Sequence, residues 1–166
     1  SYCFLTCPDE QTTDALASQL GKSTSVRGIF FLRDIPLQSS SYLMHVAELA
    51  KADYVLLQIK PVAITLGAGA LERMMAAACD TGAAMVYADR YEVKNGVVER
   101  HPVIDYQDGS LRDDFDFGSL LLVRTSLLHK YFTSDRDANY KYAGFYDFRL
   151  FLSREGQLFH LNEYLY

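Results

Sequence analysis

Apolar positions recur along the chain in two rhythms that alternate from end to end. Tyr2-Cys3-Phe4-Leu5-Thr6 is a short β-rich run broken by Pro8. Thr12, Thr13 and Asp14 then supply the cap and first-turn acid of a helix that reaches Leu20 and closes at Gly21. A second continuous apolar run, Gly28 to Leu32, has the character of a strand covered on both faces and ends in Arg33-Asp34. Ser39-Ser40-Ser41 caps the next segment, where Leu43, Val46, Ala47 and Ala50 fall on one helical face. The run Ala50 to Pro61 follows as a central strand, apolar through Leu57 and then polar at Gln58 and Lys60. Beyond Gly67 and Gly69, the spacing of Leu71, Met74, Met75 and Ala78 predicts another helix, and Ala83 to Tyr87 predicts the next strand.

Four strands alternating with three helices predict an α/β fold with a mainly parallel, Rossmann-like sheet flanked by helices. The rhythm then changes. Lys94-Asn95-Gly96 between Tyr91 to Val93 and Val97 to Glu99 is a hairpin signal, because Asn and Gly tolerate positive φ. His101 to Arg112 is loop-like, and Asp113-Asp114-Phe115-Asp116-Phe117 sets three carboxylates among two aromatics before the strand-like Leu120 to Val123. Such interleaving assigns Asp113 and Asp114 a site-lining role, with a loop or capping role as the alternative. Ser134 to Asn139 is a polar loop, Asp147 opens a helix ending at Gly156, and Leu158 to Leu161 is a last strand.

Composition narrows the function. In 166 residues there is material for one domain spanning 1–166 with a real core, and a chain of about 150 residues buries roughly 70% of its unfolded surface. A formal net charge of -5 supplies no footprint for nucleic acid. Cys3, Cys7 and Cys79 lack the spacing of a zinc site and read as buried reduced thiols. The sequence contains no apolar run of the roughly 20 residues that span a bilayer. The first residues carry no leader pattern and the last ones stop in an apolar run, so a piece excised from a longer chain is the expectation.

Phosphate-loop and dinucleotide signatures are absent: Gly67-Ala68-Gly69 lacks the third glycine. No G-x-S-x-G elbow exists, and His45, His101, His129 and His160 are scattered, with His45 and His129 inside helical segments. What remains is acids at strand ends, where open α/β sheets bind their ligands: Asp34, Asp89, the Asp113 to Asp116 cluster and Asp147.

In this order of features the chain resembles family 2 glycosyltransferases of the GT-A fold over nearly its whole length. The resemblance is carried by Gly28 to Leu32 ending at Asp34, by Ala50 to Leu57, and by Ala143 to Gly156 followed by Leu158 to Tyr166. It implies an inverting transfer of sugar from a nucleotide-sugar donor, a UDP-sugar above all, to a glycan or lipid-linked acceptor. Asp34 would contact the nucleotide, and Asp147 would be the catalytic base, taking the acceptor's hydroxyl proton. Tyr146 stands where the family has a glutamate beside that base, and Asp89 would line the same crevice. The family builds surface polysaccharides at the cytoplasmic face of membranes, which sets the expected location.

One departure is central. Gln58-Ile59-Lys60 occupies the place of the family's Asp-x-Asp, so neither expected ligand of Mg²⁺ or Mn²⁺ is there. Three alternatives follow. Lys60 meets the donor diphosphate directly; the metal is recruited by Asp89 or by Asp113 and Asp114; or the domain is catalytically degenerate and binds a nucleotide, a glycan or a protein. A nucleotidyltransferase shares the architecture but wants a glycine-rich basic first loop, and Thr6-Cys7-Pro8-Asp9-Glu10 is acidic without glycine.

Overall fold

A computed structural model of the chain describes residues 2–6, 10–107, 109, 111–112, 114–134 and 139–166, with the side chains of 2–6 and 10–12 left aside. The elements run β1 (Tyr2–Thr6), α1 (Glu10–Gly21), β2 (Gly28–Leu32), α2 (Ser40–Leu49), β3 (Tyr54–Gln58), α3 (Ala70–Thr81), β4 (Met85–Lys94), β5 (Val97–His101), β6 (Leu120–Arg124), α4 (Thr125–Thr133), α5 (Gly144–Glu155) and β7 (Leu158–Tyr164). The strands form one sheet in the order β2-β1-β3-β6-β4-β5, with β7 pairing β4. β1 is parallel to β2 and β3, while β6 runs antiparallel to both β3 and β4 and so restores β4 to the direction of β3. β7 is parallel to β4. The expected α/β class, a mainly parallel sheet with a hairpin, is what forms.

Strand alternation explains the two helix layers. Val55 and Leu57 of β3, Met85 and Tyr87 of β4, and Leu121 and Val123 of β6 point to one face, where Val46 of α2, Leu128 of α4 and Phe148 of α5 cover them. Leu56, Val86, Leu120 and Leu122 point to the other, under Leu16 and Leu20 of α1 and Leu71 and Met74 of α3. A strand buried on both faces needs an unbroken apolar run, which is why these strands lack polar alternation. At roughly 1.5–3 kcal/mol for each buried large apolar side chain, this double layer supplies the dominant stabilisation.

Several boundaries differ from the sequence reading. β4 does not stop near Tyr87; it runs ten residues in all, from Met85 to Lys94, so Asp89 lies inside the strand and not past its end. Its first half pairs β6 and β7 and its second half pairs β5, with a register shift at Ala88/Asp89. The turn at Asn95 and Gly96 has φ of 52° and 78°, as the hairpin signal required. Helix α5 starts at Gly144, three residues before Asp147. Gly144 is there because no Cβ fits: one would stand 2.4 Å from the Ser40 backbone nitrogen. Cys79 is exposed on α3, against the expectation of a buried thiol, because it faces away from the Ala77 and Ala78 stripe. Cys7, like Asp113 and the loop at 135–138, lies outside the described residues.

Among the described residues, no helix is long and apolar enough to cross a membrane.

Candidate functional site

The parallel register of β1, β2 and β3 brings their carboxyl ends to one edge of the sheet, and a crevice of about 430 Å³ opens at the end of β3. Its walls are Leu37 and Gln38 after β2, Ile59 and Lys60 after β3, the segment Asp114 to Gly118, and the first turns of α5. Gln58 is buried and braces this mouth from within. Its Nε2 donates to the Lys60 carbonyl at 3.1 Å and the Val62 carbonyl at 2.8 Å, folding the chain back after the strand. The polar ending of β3 is therefore a structural turn at Gln58 and a presented cation at Lys60.

Lys60 Nζ donates to Asp116 Oδ1 at 2.8 Å. The same carboxylate accepts from the Gly118 backbone at 2.9 Å and, through Oδ2, from Arg90 Nη2 at 3.0 Å. Arg90 also reaches Glu92, which pairs with Lys94 at 3.0 Å. Burial alone would raise the Asp116 carboxyl, but the Lys60 ammonium, the Gly118 N–H and the Arg90 guanidinium outweigh it and hold it at about 2. Asp116 is thus an anion at any physiological pH. It belongs to the acid cluster singled out in the sequence, although only a partner cation across 56 residues marks it out from Asp114.

Arg149 is a second residue that sequence reasoning missed. Buried on α5, it donates from Nη1 to the Phe115 carbonyl at 3.1 Å, and its guanidinium lies 5.3 Å from the Phe145 ring and 5.4 Å from that of Phe117. It pins the 114–118 segment against α5 and shapes the crevice wall. The i, i+4 pair of Phe145 and Arg149 on a helix was the available signal.

The sequence-predicted residues divide. Lys60, Asp114 and Tyr146 line the crevice. Asp114 is held by Arg112, at 3.1 Å, and the Tyr146 hydroxyl donates to the Leu111 carbonyl at 3.3 Å. Asp34 is exposed in the turn after β2 with φ of 59°, at the same edge of the sheet but outside the crevice wall. Asp89 is turned inward: its Oδ1 accepts from the Val103 backbone at 2.8 Å and meets His160 Nε2 at 2.8 Å, with Asp105 at the other ring nitrogen of that histidine. The carboxylate of Asp147 accepts from the Tyr131 hydroxyl of α4 at 2.8 Å and is not part of the crevice wall.

Among the described residues no group of three or more His, Cys, Asp and Glu side chains is arranged to hold a metal ion. Asp89 and Asp116 are each engaged by cationic or backbone donors, and hard cations require several free oxygens at one point.

No protein-family model matches the chain, and no curated protein matches it in sequence. Among solved structures, a crystal structure of 4-diphosphocytidyl-2C-methyl-D-erythritolsynthase from Anaerococcus prevotii DSM 20548 is similar with a TM-score of 0.42 and 11% identity, over 96% of this chain and 68% of that one.

Proposed function

We propose that the chain is a transferase-type domain that receives a nucleotide sugar, a UDP-sugar in the first instance, at the carboxyl end of β3, with Lys60 meeting the diphosphate in place of a metal ion. The observation that carries this reading is the placement of Lys60. Its side chain is 41% exposed in the crevice wall, and Asp116 occupies only one of its hydrogen-bond directions. An ammonium has three donors, so two remain for phosphate oxygens. Asp34 at the same sheet edge is the proposed base contact, and Tyr146 and Asp114 are proposed to line the acceptor side of the crevice.

Asp147 bears on whether sugar is transferred. Its hydrogen bond to Tyr131 and its position outside the crevice wall favour the second reading, a domain that binds the nucleotide or glycan without transferring sugar. In the transfer reading, Asp147 takes the acceptor's proton on a carboxylate whose Oδ2 already accepts from the Tyr131 hydroxyl.

Thermal shift with UDP, GDP and their sugars, with and without Mn²⁺, tests the proposal. Stabilisation by a nucleotide sugar without Mn²⁺, lost in Lys60→Ala, is the expected result. Strict dependence on Mn²⁺, or a Lys60→Ala protein that binds as tightly as the parent, refutes the assignment of Lys60. Turnover of the bound donor in the presence of acceptor glycans then separates transfer from binding alone.

A further inference from the structure

A diphosphate carries more than one negative charge, and a lone ammonium neutralises only one of them. Lys60 is the cation presented in the crevice wall, whereas Arg90 of β4 is not part of that wall and has a side chain only 8% exposed. What links the two is Asp116. Lys60 Nζ donates to its Oδ1 at 2.8 Å and Arg90 Nη2 to its Oδ2 at 3.0 Å, so two cations from different elements share one carboxylate. The Gly118 backbone donates to Oδ1 at 2.9 Å, and His101 Nε2 of β5 lies 3.5 Å from Oδ2. An ammonium and a guanidinium set on neighbouring oxygens suit a phosphoryl group as well as a carboxylate, because both offer anionic oxygens to the same donors.

The position of Asp116 allows it to be exchanged. Its side chain is 37% exposed, and it borders both the crevice and a second hollow of about 730 Å³ that includes His101, Asp105 and Arg112. The backbone on either side is fixed by other contacts: the Phe115 carbonyl accepts from Arg149 at 3.1 Å, and Phe117 is buried. Arg90 keeps Glu92 as a partner, at 3.0 Å from Nε and 2.6 Å from Nη2. Glu92 also keeps Lys94 and still faces Glu99 across the hairpin. Replacing the carboxylate by a phosphoryl oxygen therefore swaps one anion for another at Arg90, with the rest of the ion cluster in place.

We infer that Asp116 is a resident stand-in for a phosphoryl group, which the donor's diphosphate displaces in order to take both Lys60 and Arg90. Arg90 is then a second diphosphate-binding residue, reached only when the Asp116 side chain turns away. The inference takes its ligand from the nucleotide reading of the crevice and adds the exchange. Affinity is reduced by the fraction of molecules in which Asp116 holds its place.

Isothermal titration of the whole chain with inorganic pyrophosphate and with UDP tests it. Asp116→Asn should bind both about tenfold tighter than the parent, because the competing anion is gone. Asp114→Asn removes a negative charge from the same wall but none that pairs with Lys60 or Arg90, and should gain less than about twofold. Adding Arg90→Gln to Asp116→Asn should cancel the gain. In the parent, the Arg90 side-chain ¹⁵N resonances should shift as pyrophosphate saturates the site, a readout that needs no variant. No gain in Asp116→Asn, an equal gain in Asp114→Asn, a gain that survives Arg90→Gln, or Arg90 resonances unmoved at saturation each overturn the inference. Should UDP bind the parent in any of those cases, the nucleotide reading stands without the exchange. A gain for pyrophosphate in Asp116→Asn, with UDP bound no more tightly than pyrophosphate, keeps the exchange and removes the nucleoside from the ligand.

Discussion

Replacing Asp116 by Asn isolates the negative charge in the crevice wall. Asn keeps the shape and can still accept from the Gly118 backbone, so what is lost is the anion that Lys60 and Arg90 share. The drop of the Asp116 carboxyl from its ordinary 3.8 to about 2 corresponds at most to about 2.5 kcal/mol of native-state stabilisation. Its side chain is 37% exposed, so solvent screening reduces this to about 1 kcal/mol. Arg90 is buried and keeps Glu92 as a partner, so its partial loss of neutralisation brings the expected total to about 1–2 kcal/mol. For a chain of this size that lowers Tm by about 2–8 °C. A carboxyl depressed in the folded state stabilises it fully above the unfolded value of 3.8, and the contribution disappears as pH falls through about 2. Urea denaturation of parent and Asp116→Asn at pH 7, 5, 4 and 3 reads this directly. The difference between them should be constant from pH 7 to 5 and about halved at pH 3. A difference that does not change with pH, or none at pH 7, refutes the ion-pair account of this residue.

Two further predictions concern what holds the site in place. The Tyr87 hydroxyl donates to the Ile104 carbonyl at 3.1 Å and accepts from the Tyr106 backbone at 2.8 Å, so Tyr87→Phe should cost about 1–3 kcal/mol in urea denaturation and speed amide exchange at Tyr106. Burial pushes the Tyr87 phenol up to about 12, so its stabilising effect is whole below pH 10 and falls as pH rises from there through 12. In a spectrophotometric titration the tyrosine ionising near pH 12 should be absent from Tyr87→Phe. Gly144→Ala would put a methyl carbon 2.4 Å from the Ser40 nitrogen and 2.8 Å from the Ser39 carbonyl carbon, both backbone, so the α5 start must move away from α2. We expect a loss of about 1–3 kcal/mol despite alanine's better helix propensity, and a Tm equal to or above the parent's would refute that packing account.

The pattern of apolar residues determined a great deal by itself. Continuous runs such as Val55 to Leu57 and Leu120 to Val123 can be satisfied only by strands covered on both faces, and the helical spacings of Leu43 to Ala50 and Leu71 to Ala78 provide the covers. Local chemistry likewise made the Asn95-Gly96 turn legible, because its conformation is a property of those two residues. Lys60 at the end of β3 followed from the same reasoning.

Long-range pairing was not legible, since no local preference records it. The antiparallel insertion of β6 between β3 and β4, and the ten-residue span of β4 across the Ala88/Asp89 irregularity, depend on which strands meet. So do the side-chain fates that bear on function. Asp89, Asp116 and Asp147 are alike in the sequence as acids near element ends. Packing gives the first to His160 and a backbone N–H, the second to Lys60 and Arg90, and the third to Tyr131. A carboxylate's chemistry is set by the charges and donors within a few ångströms of it. Those neighbours come from residues 14 to 71 positions away, and only the folded chain brings them together.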